Sequence, residues 1–317
     1  MTSPFPLESP TAESVRGQMD SWCRGQMDYR DQVREAGFFD LEKISVSQGT
    51  TGLMPFYCDL NYPHPVLVKR YARLGIDRYN MSHGTNLQLH HLKKFNKTMN
   101  CQASYYITLA ACDPANIDPA SLVTLQVGVA EGSSTARCSL NLSCFIAKPQ
   151  GTPTDLLRSS GMVDDKVQLP CWPSDFSDTQ RFYEFKESEL QSNDWIRLYL
   201  ELALCANDRR IEESELSQLQ IIKVVMETLD EPLQASAANV YVYITFKGFA
   251  LARVGEIGEH VVRKVIVRRA FNDRTGCLTA HGGYGFSIGE VAEEHHVSRP
   301  RHYTEPGALI PDQDPSS

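Results

Sequence analysis

Cys138-Ser139-Leu140-Asn141-Leu142-Ser143-Cys144-Phe145-Ile146 carries an apolar residue at every even position, with Ser139, Asn141 and Ser143 between them. Successive side chains of a strand point to opposite faces, so this alternation predicts a half-buried antiparallel strand whose two cysteines are core thiols. The same period lies upstream, where Tyr105, Ile107 and Leu109 share one face, followed by Val123, Leu125, Val127 and Val129. Downstream, Ile196, Leu198, Leu200, Leu202 and Leu204 alternate with Trp195, Arg197, Tyr199, Glu201 and Ala203, which predicts a strand despite the helix preference of leucine. Residues 219–226, 240–246 and 261–270 read as further strands. The last of these turns at Asn272-Asp273-Arg274-Thr275-Gly276 into Cys277.

One segment carries clear helix punctuation: Pro65 at a first-turn position, a stripe of Leu67, Tyr71 and Leu74, and Gly75 as a left-handed stop. Regularly spaced strands with a single punctuated helix predict an α+β protein, an antiparallel sheet with a packed helix, organised as two lobes. The first helix-plus-sheet lobe spans 51–149 and the second sheet lobe 195–286. Between them, 150–194 reads as a connection, because Pro149, Gly151, Pro153, Pro170 and Pro173 interrupt any period. Residues 1–50 form an N-terminal tail with a candidate amphipathic helix, in which Val15, Met19, Trp22, Tyr29, Val33 and Ala36 fall three, four or seven apart. Gly17 and Gly25 weaken that helix, and Arg16-Gly17-Gln18-Met19-Asp20 recurs eight residues later as a local duplication. The proline-rich ends, 1–14 and the final part of the 287–317 tail, are expected to be disordered.

Composition excludes several classes. With 42% hydrophobic and 22% charged residues the chain is neither collagenous nor a small disulfide scaffold. Its 31 Lys plus Arg against 39 Asp plus Glu give a net charge of −8, a poor generic match to phosphate backbones or anionic membranes. No run approaches the roughly 20 apolar residues of a membrane span. The first residues lack a basic and then apolar leader, so the expected location is cytoplasmic or nuclear and not secreted. Nine cysteines without a Cys-x-x-Cys spacing then read as reduced thiols, and the sequons at Asn80, Asn96 and Asn141 as accidents of composition.

Motifs that could carry chemistry fail in their context. Gly285-Phe286-Ser287-Ile288-Gly289 matches the nucleophile-elbow pattern, but the remaining C-terminal segment, with His295, His296 and His302, has no room for the strands that would present an acid and a base. Gly282, Gly283 and Gly285 read instead as a loop ending the last strand. His90-His91 and His295-His296 are adjacent pairs that point to opposite faces of a regular strand; with His83 added a ligand cluster is conceivable, and the alternative is solvated loop histidines. Cys101 and Cys112 have no ligand partner at spacing, and Glu212-Glu213 and Glu293-Glu294 sit in polar runs where nothing raises a pKa. Arg263, Lys264, Arg268, Arg269 and Arg274, with Tyr241 and Tyr243, could suit single-stranded nucleic acid, but Arg263 and Arg269 face away from Lys264 and Arg268. No catalytic, cofactor-binding or metal residue is assigned, and no cofactor is expected.

Tyr29-Arg30-Asp31-Gln32-Val33-Arg34-Glu35 with Gly37-Phe38, then Tyr71-Ala72-Arg73-Leu74-Gly75-Ile76-Asp77-Arg78-Tyr79-Asn80 with Gly84-Thr85-Asn86-Leu87, resembles the plant family grouped with the "male sterile five" proteins. Trp195-Ile196-Arg197-Leu198-Tyr199-Leu200-Glu201 and Tyr243-Ile244-Thr245-Phe246-Lys247-Gly248 resemble its second half, so the likeness runs over about 29–286. It implies a cystatin/monellin-like fold, no established biochemical activity, and roles in embryo development and male meiosis. The inhibitory Gln-x-Val-x-Gly of cystatins does not carry over: Gln126-Val127-Gly128-Val129-Ala130 has the wrong spacing, and Cys171-Trp172-Pro173 reverses the cystatin Pro-Trp.

The expected function is therefore that of a non-enzymatic protein with a protein partner, bound through sheet surface and the N-terminal helix, where Trp22, Met27 and Tyr29 suit a helix-in-groove contact or self-association. The alternatives are a small-ligand carrier or enzyme with a pocket between helix and sheet, and nucleic-acid binding through the 263–274 hairpin. No membrane contact is expected.

Overall fold

The computed structural model describes residues 12–45, 50, 52–58, 66–116, 121–135, 138–153, 167–229, 237–248 and 261–284. Among them, ten strands form one antiparallel sheet in the order β1-β2-β3-β4-β5-β10-β9-β8-β7-β6. The first half holds β1 (Leu53–Tyr57), β2 (Gln88–Thr98), β3 (Ser104–Cys112), β4 (Val123–Glu131) and β5 (Leu140–Pro149). The second holds β6 (Phe182–Glu184), β7 (Gln220–Thr228), β8 (Val240–Lys247), β9 (Arg263–Asn272) and β10 (Cys277–Tyr284). In each half a helical connection follows the first strand: α2 (Val66–His83) before β2, and α3 (Glu187–Ser192), α4 (Asp194–Asn207) and α5 (Glu213–Ser217) before β7. The two halves share a sheet, sewn by β5 against β10 with Leu278 opposite Cys144 and Gly282 opposite Leu140, and the second half takes in β6 and α3 from the 150–194 stretch that reads in sequence as a connection.

The alternation read from sequence sorts the strands' side chains onto two faces. Ile107, Leu109, Leu125, Val127, Val129, Leu140, Leu142 and Cys144 join Val265, Val267, Leu278 and Ala280 in the core under α2 and α4. Each large aliphatic buried there contributes about 1.5–3 kcal/mol of transfer free energy. The other face carries two smaller clusters. Phe39, Tyr106, Phe145 and Ile146 pack where the chain arrives from α1 (Ala12–Glu35), and Phe182, Val225, Tyr243 and Ile266 pack beneath Leu169, Trp172 and Phe176. Trp172 meets Tyr243 edge-on at 5.6 Å, so Cys171-Trp172-Pro173 is a cover for the sheet.

Several local expectations are overturned. Residues 196–204 are helical, not extended: α4 is buried almost all round, from Ile196 through Cys205, so polar residues cannot mark its period, and Arg197 and Glu201 fit spacings of two and of four alike. Gly75 does not stop α2, which runs on to Gly84 at φ +64°. Gly282 and Gly283 lie inside β10, where both are buried. Pro65, Ser287 and the tails at 1–11 and 285–317 lie outside the described residues.

Candidate functional site

Helices α2 and α4 lie side by side on the sheet and meet through charge. Arg70, buried, donates through Nε to Glu201 (3.0 Å) and through its two terminal nitrogens to Glu213 (2.6 and 2.7 Å). Glu201, whose side chain is only 4% exposed, also accepts from Arg73 (3.1 Å) and Arg197 (3.1 Å). Three guanidinium groups thus stand where water would otherwise surround this carboxylate. The Arg70 hydrogen bonds hold the Glu213 carboxyl below its usual range. At the other side of α2, Glu131 accepts from the Tyr71 hydroxyl (2.7 Å), Arg209 (2.9 Å) and the Ala103 amide (3.2 Å). Burial, with the Glu131 charge, pushes the Tyr71 phenol well above its ordinary value.

Where the C-terminal half of α2 faces the start of α4, the packing opens into a cleft of about 660 Å³. Its walls are two helical stripes, Arg73, Ile76, Asp77 and Asn80 on α2 and Gln191, Asp194, Trp195 and Leu198 from α3 into α4, closed by 85–89. The α2 residues follow the i, i+3, i+4, i+7 spacing of a single helix face, whereas on the other wall Asp194, Trp195 and Leu198 share a face of α4 and Gln191 comes from α3, across the non-helical Asn193. Asn80 clamps the third wall: its Oδ1 accepts from Thr85 Oγ1 (2.7 Å) and the Leu87 amide (2.9 Å), and its Nδ2 donates to the Leu87 carbonyl (2.9 Å). The Tyr199 hydroxyl donates to Asp77 Oδ2 at 3.1 Å. Burial raises the Asp77 carboxyl above its ordinary range, against the opposing pull of Arg269, Tyr199 and Arg73. Trp195 donates from Nε1 to Asn193 (3.2 Å) and holds the Arg269 guanidinium 3.8 Å from its ring centre.

The residues singled out from sequence scatter. Arg269 is buried against Trp195 and donates to the Ala237 carbonyl (2.6 Å), while Lys264 lies over Trp172 on the opposite face (5.2 Å). The basic strand therefore offers no single charged stripe. His90 and His91 do not diverge: a bulge between Leu89 and His91 breaks the alternation and brings their Nδ1 atoms to 2.7 Å. His83 stacks on Tyr79 (4.0 Å). Among the described residues no group of three or more His, Cys, Asp or Glu could hold a metal ion. Cys138 and Cys144 are buried thiols as the alternation predicts, and burial pushes Cys144 up to about 12. Cys101 is exposed and Cys112 half-buried, neither bonded to another cysteine. Glu213 joins the Arg70 pair, and Glu212 caps α5. Gln126 and Gly128 lie inside β4. No helix of the described residues is long and apolar enough to cross a membrane.

Sequence reasoning missed the cleft because it rests on α4 being a helix. On the α2 side, the spacing of Arg73, Ile76, Asp77 and Asn80 was the signal that could have found that wall.

Comparison with known proteins fits this architecture. A family model described as Protein MS5 matches residues 169–280. UPF0725 protein At1g02770 of Arabidopsis thaliana is 44% identical, over 82% of this chain and 83% of its own length. UPF0725 protein At3g19520 of the same plant is 39% identical over 92% of this chain and 97% of its own. The crystal structure of MS5 from Brassica napus is similar at 32% identity and a TM-score of 0.54, covering 69% of this chain and 97% of that one.

Proposed function

The chain belongs to the plant family of MS5 and UPF0725 proteins, and on that premise we propose that it is a non-enzymatic interaction protein that docks a protein partner through α1, in the cytoplasm or nucleus, during embryo development or male reproduction. The observation that carries this reading is one stripe along α1. Val15, Met19, Trp22, Gln26, Tyr29 and Val33 succeed one another at spacings of four, three, four, three and four. Gln26, Tyr29 and Val33 are buried against the body, whereas Val15, Met19 and Trp22 stand 46%, 63% and 48% exposed. A heptad stripe of this kind is the surface a second helix covers. Here its inner half is used by the protein itself and its outer half faces outward.

The anchor of α1 explains how it can project. Past its end Gly37 and Phe38 both take left-handed conformations, at φ 63° and 72°, and Phe38 stacks on Tyr106 at 4.7 Å. The buried Asn96 amide donates to the carbonyls of Phe38 (2.7 Å) and Phe39 (3.0 Å). Tyr29 accepts the Leu53 amide at 3.0 Å, tying the helix to the edge of the sheet.

The test is quantitative affinity purification of the tagged full-length chain from flower buds and seeds beside Met19→Glu and a variant lacking residues 1–24, which keeps Tyr29 and Val33. A stoichiometric partner lost from both folded variants is the expected result, and sedimentation of the purified protein identifies the case in which that partner is a second copy. The same partners at the same stoichiometry in all three samples would overturn the proposal.

A further inference from the structure

The cleft between α2 and α4 holds polar side chains that the fold does not use. Asn86, Gln88, Gln191 and Asp194 line it, and their side chains make no hydrogen bond with any described residue. Asp77 commits Oδ2 to Tyr199, and Arg73 commits one terminal nitrogen to Glu201. A pocket of about 660 Å³ is the size of ordinary small-molecule sites, which run to roughly 300–1,000 Å³.

The chemistry of the walls narrows the ligand. An anion would meet the carboxyl groups of Asp77 and Asp194, and a simple cation would meet Arg73, with Arg269 held behind Trp195. Neither charge has a wall of its own. The three free amides each offer a donor and an acceptor, the same pair that a hydroxyl group offers in return. Asp77 and Asp194 add acceptors, Arg73 adds donors, and the Trp195 indole, one face of which carries Arg269, adds an aromatic wall against which the C–H groups of a sugar or cyclitol ring can pack. Leu198 and Ile76 keep the floor apolar, so the polar groups at the rim fix orientation.

We propose that this cleft binds a neutral polyhydroxylated ligand, a small saccharide or a cyclitol. Asp77 and Gln191 stand on opposite walls and hold hydroxyl groups on opposite sides of the ring. The site lies on the helix-covered face of the sheet, whereas α1 is anchored through Phe38 and Phe39 on the other face, so this reading and the docking of α1 fail separately.

The experiment is saturation-transfer NMR on the full-length protein with glucose, sucrose and myo-inositol as probes, backed by tryptophan fluorescence titration. Transfer to at least one probe is expected, with affinity about fivefold weaker in Gln191→Ala and in Asp77→Asn, the effect of one neutral hydrogen bond each. Gln191 is exposed and Asp77→Asn keeps an acceptor for Tyr199, so melting temperatures no lower than the parent's separate lost binding from lost folding. No transfer to any of the three, transfer of equal strength in both variants, or occupation of the cleft by inorganic phosphate or putrescine in their place would overturn the proposal.

Discussion

Gly75 of α2 lies so close to Val127 of β4 that a β-carbon on it would sit 2.2 Å from Val127 Cγ1. The glycine is a contact point between helix and sheet, inside a helix where alanine would otherwise be favoured by about 1 kcal/mol. Gly75→Ala is expected to destabilise the protein by about 1–3 kcal/mol, because overpacking outweighs the helix propensity. Urea unfolding checks this, and adding Val127→Ala to the same chain should recover part of the loss.

Glu201 gathers Arg70, Arg73 and Arg197 between the helices. Removing its charge leaves the partly buried Arg73 and Arg197 without the carboxylate they share and Arg70 with Glu213 alone, so Glu201→Gln should cost about 3 kcal/mol, the lower end for a broken buried pair. Glu213, half of whose side chain faces water, should cost about 1 kcal/mol on the same change. Equal shifts in the denaturation midpoints of the two variants would contradict this ranking.

Two carboxyls pull the pH dependence in opposite directions. Glu213 is held below its ordinary 4.5 by Arg70, so the folded state binds fewer protons than the unfolded one there, and stability is lost as pH falls through that range. Asp77 is raised above its ordinary 3.8 by burial, so stability is lost as pH rises from 3.8 through its folded value. Glu213→Gln should flatten the acid limb of a melting-temperature profile. Asp77→Asn should gain stability at neutral pH relative to the parent and none in strong acid.

Asn96 holds two carbonyls of the left-handed turn that ends α1. Asn96→Ala leaves both without their buried donor, at a cost of about 1–3 kcal/mol borne by local opening. Limited proteolysis should then cut near Phe38 faster, with hydrogen exchange in β3 and β4 unchanged.

Which elements are legible in the sequence depends on whether they have two different sides. Strands β3, β4, β5 and β8 alternate because one face meets the helices and the other a thinner cover, and their positions can be read directly from Tyr105 to Phe246. The Asn272 turn is equally plain, since Asn272 Oδ1 accepts two backbone amides and Gly276 takes φ +62°. Helix α4 is different: buried on nearly every side, it has no polar face to betray its period, and with α4 unread the cleft at Asp77 and Trp195 was unread as well. Gly75 misled for a related reason, because a glycine required by a neighbour 52 positions away looks locally like one that ends a helix. The half-exposed stripe of α1 was visible in outline, but which half is buried depends on Tyr29 reaching Leu53 and on Asn96 reaching Phe38, contacts between distant parts of the chain.

The seam between β5 and β10 has a consequence for biosynthesis. In a chain emerging from the ribosome, β1 to β5 can pair with one another as they appear, yet the outer edge of β5 stays open until β10, more than 120 residues later, has been released. An open edge carrying Leu140, Leu142 and Cys144 is a template for any other extended segment nearby. Nascent copies on one polysome are therefore exposed to strand exchange with each other until the seam closes, and slowed translation between 150 and 276 should lower the yield of native protein more than slowed translation before 140.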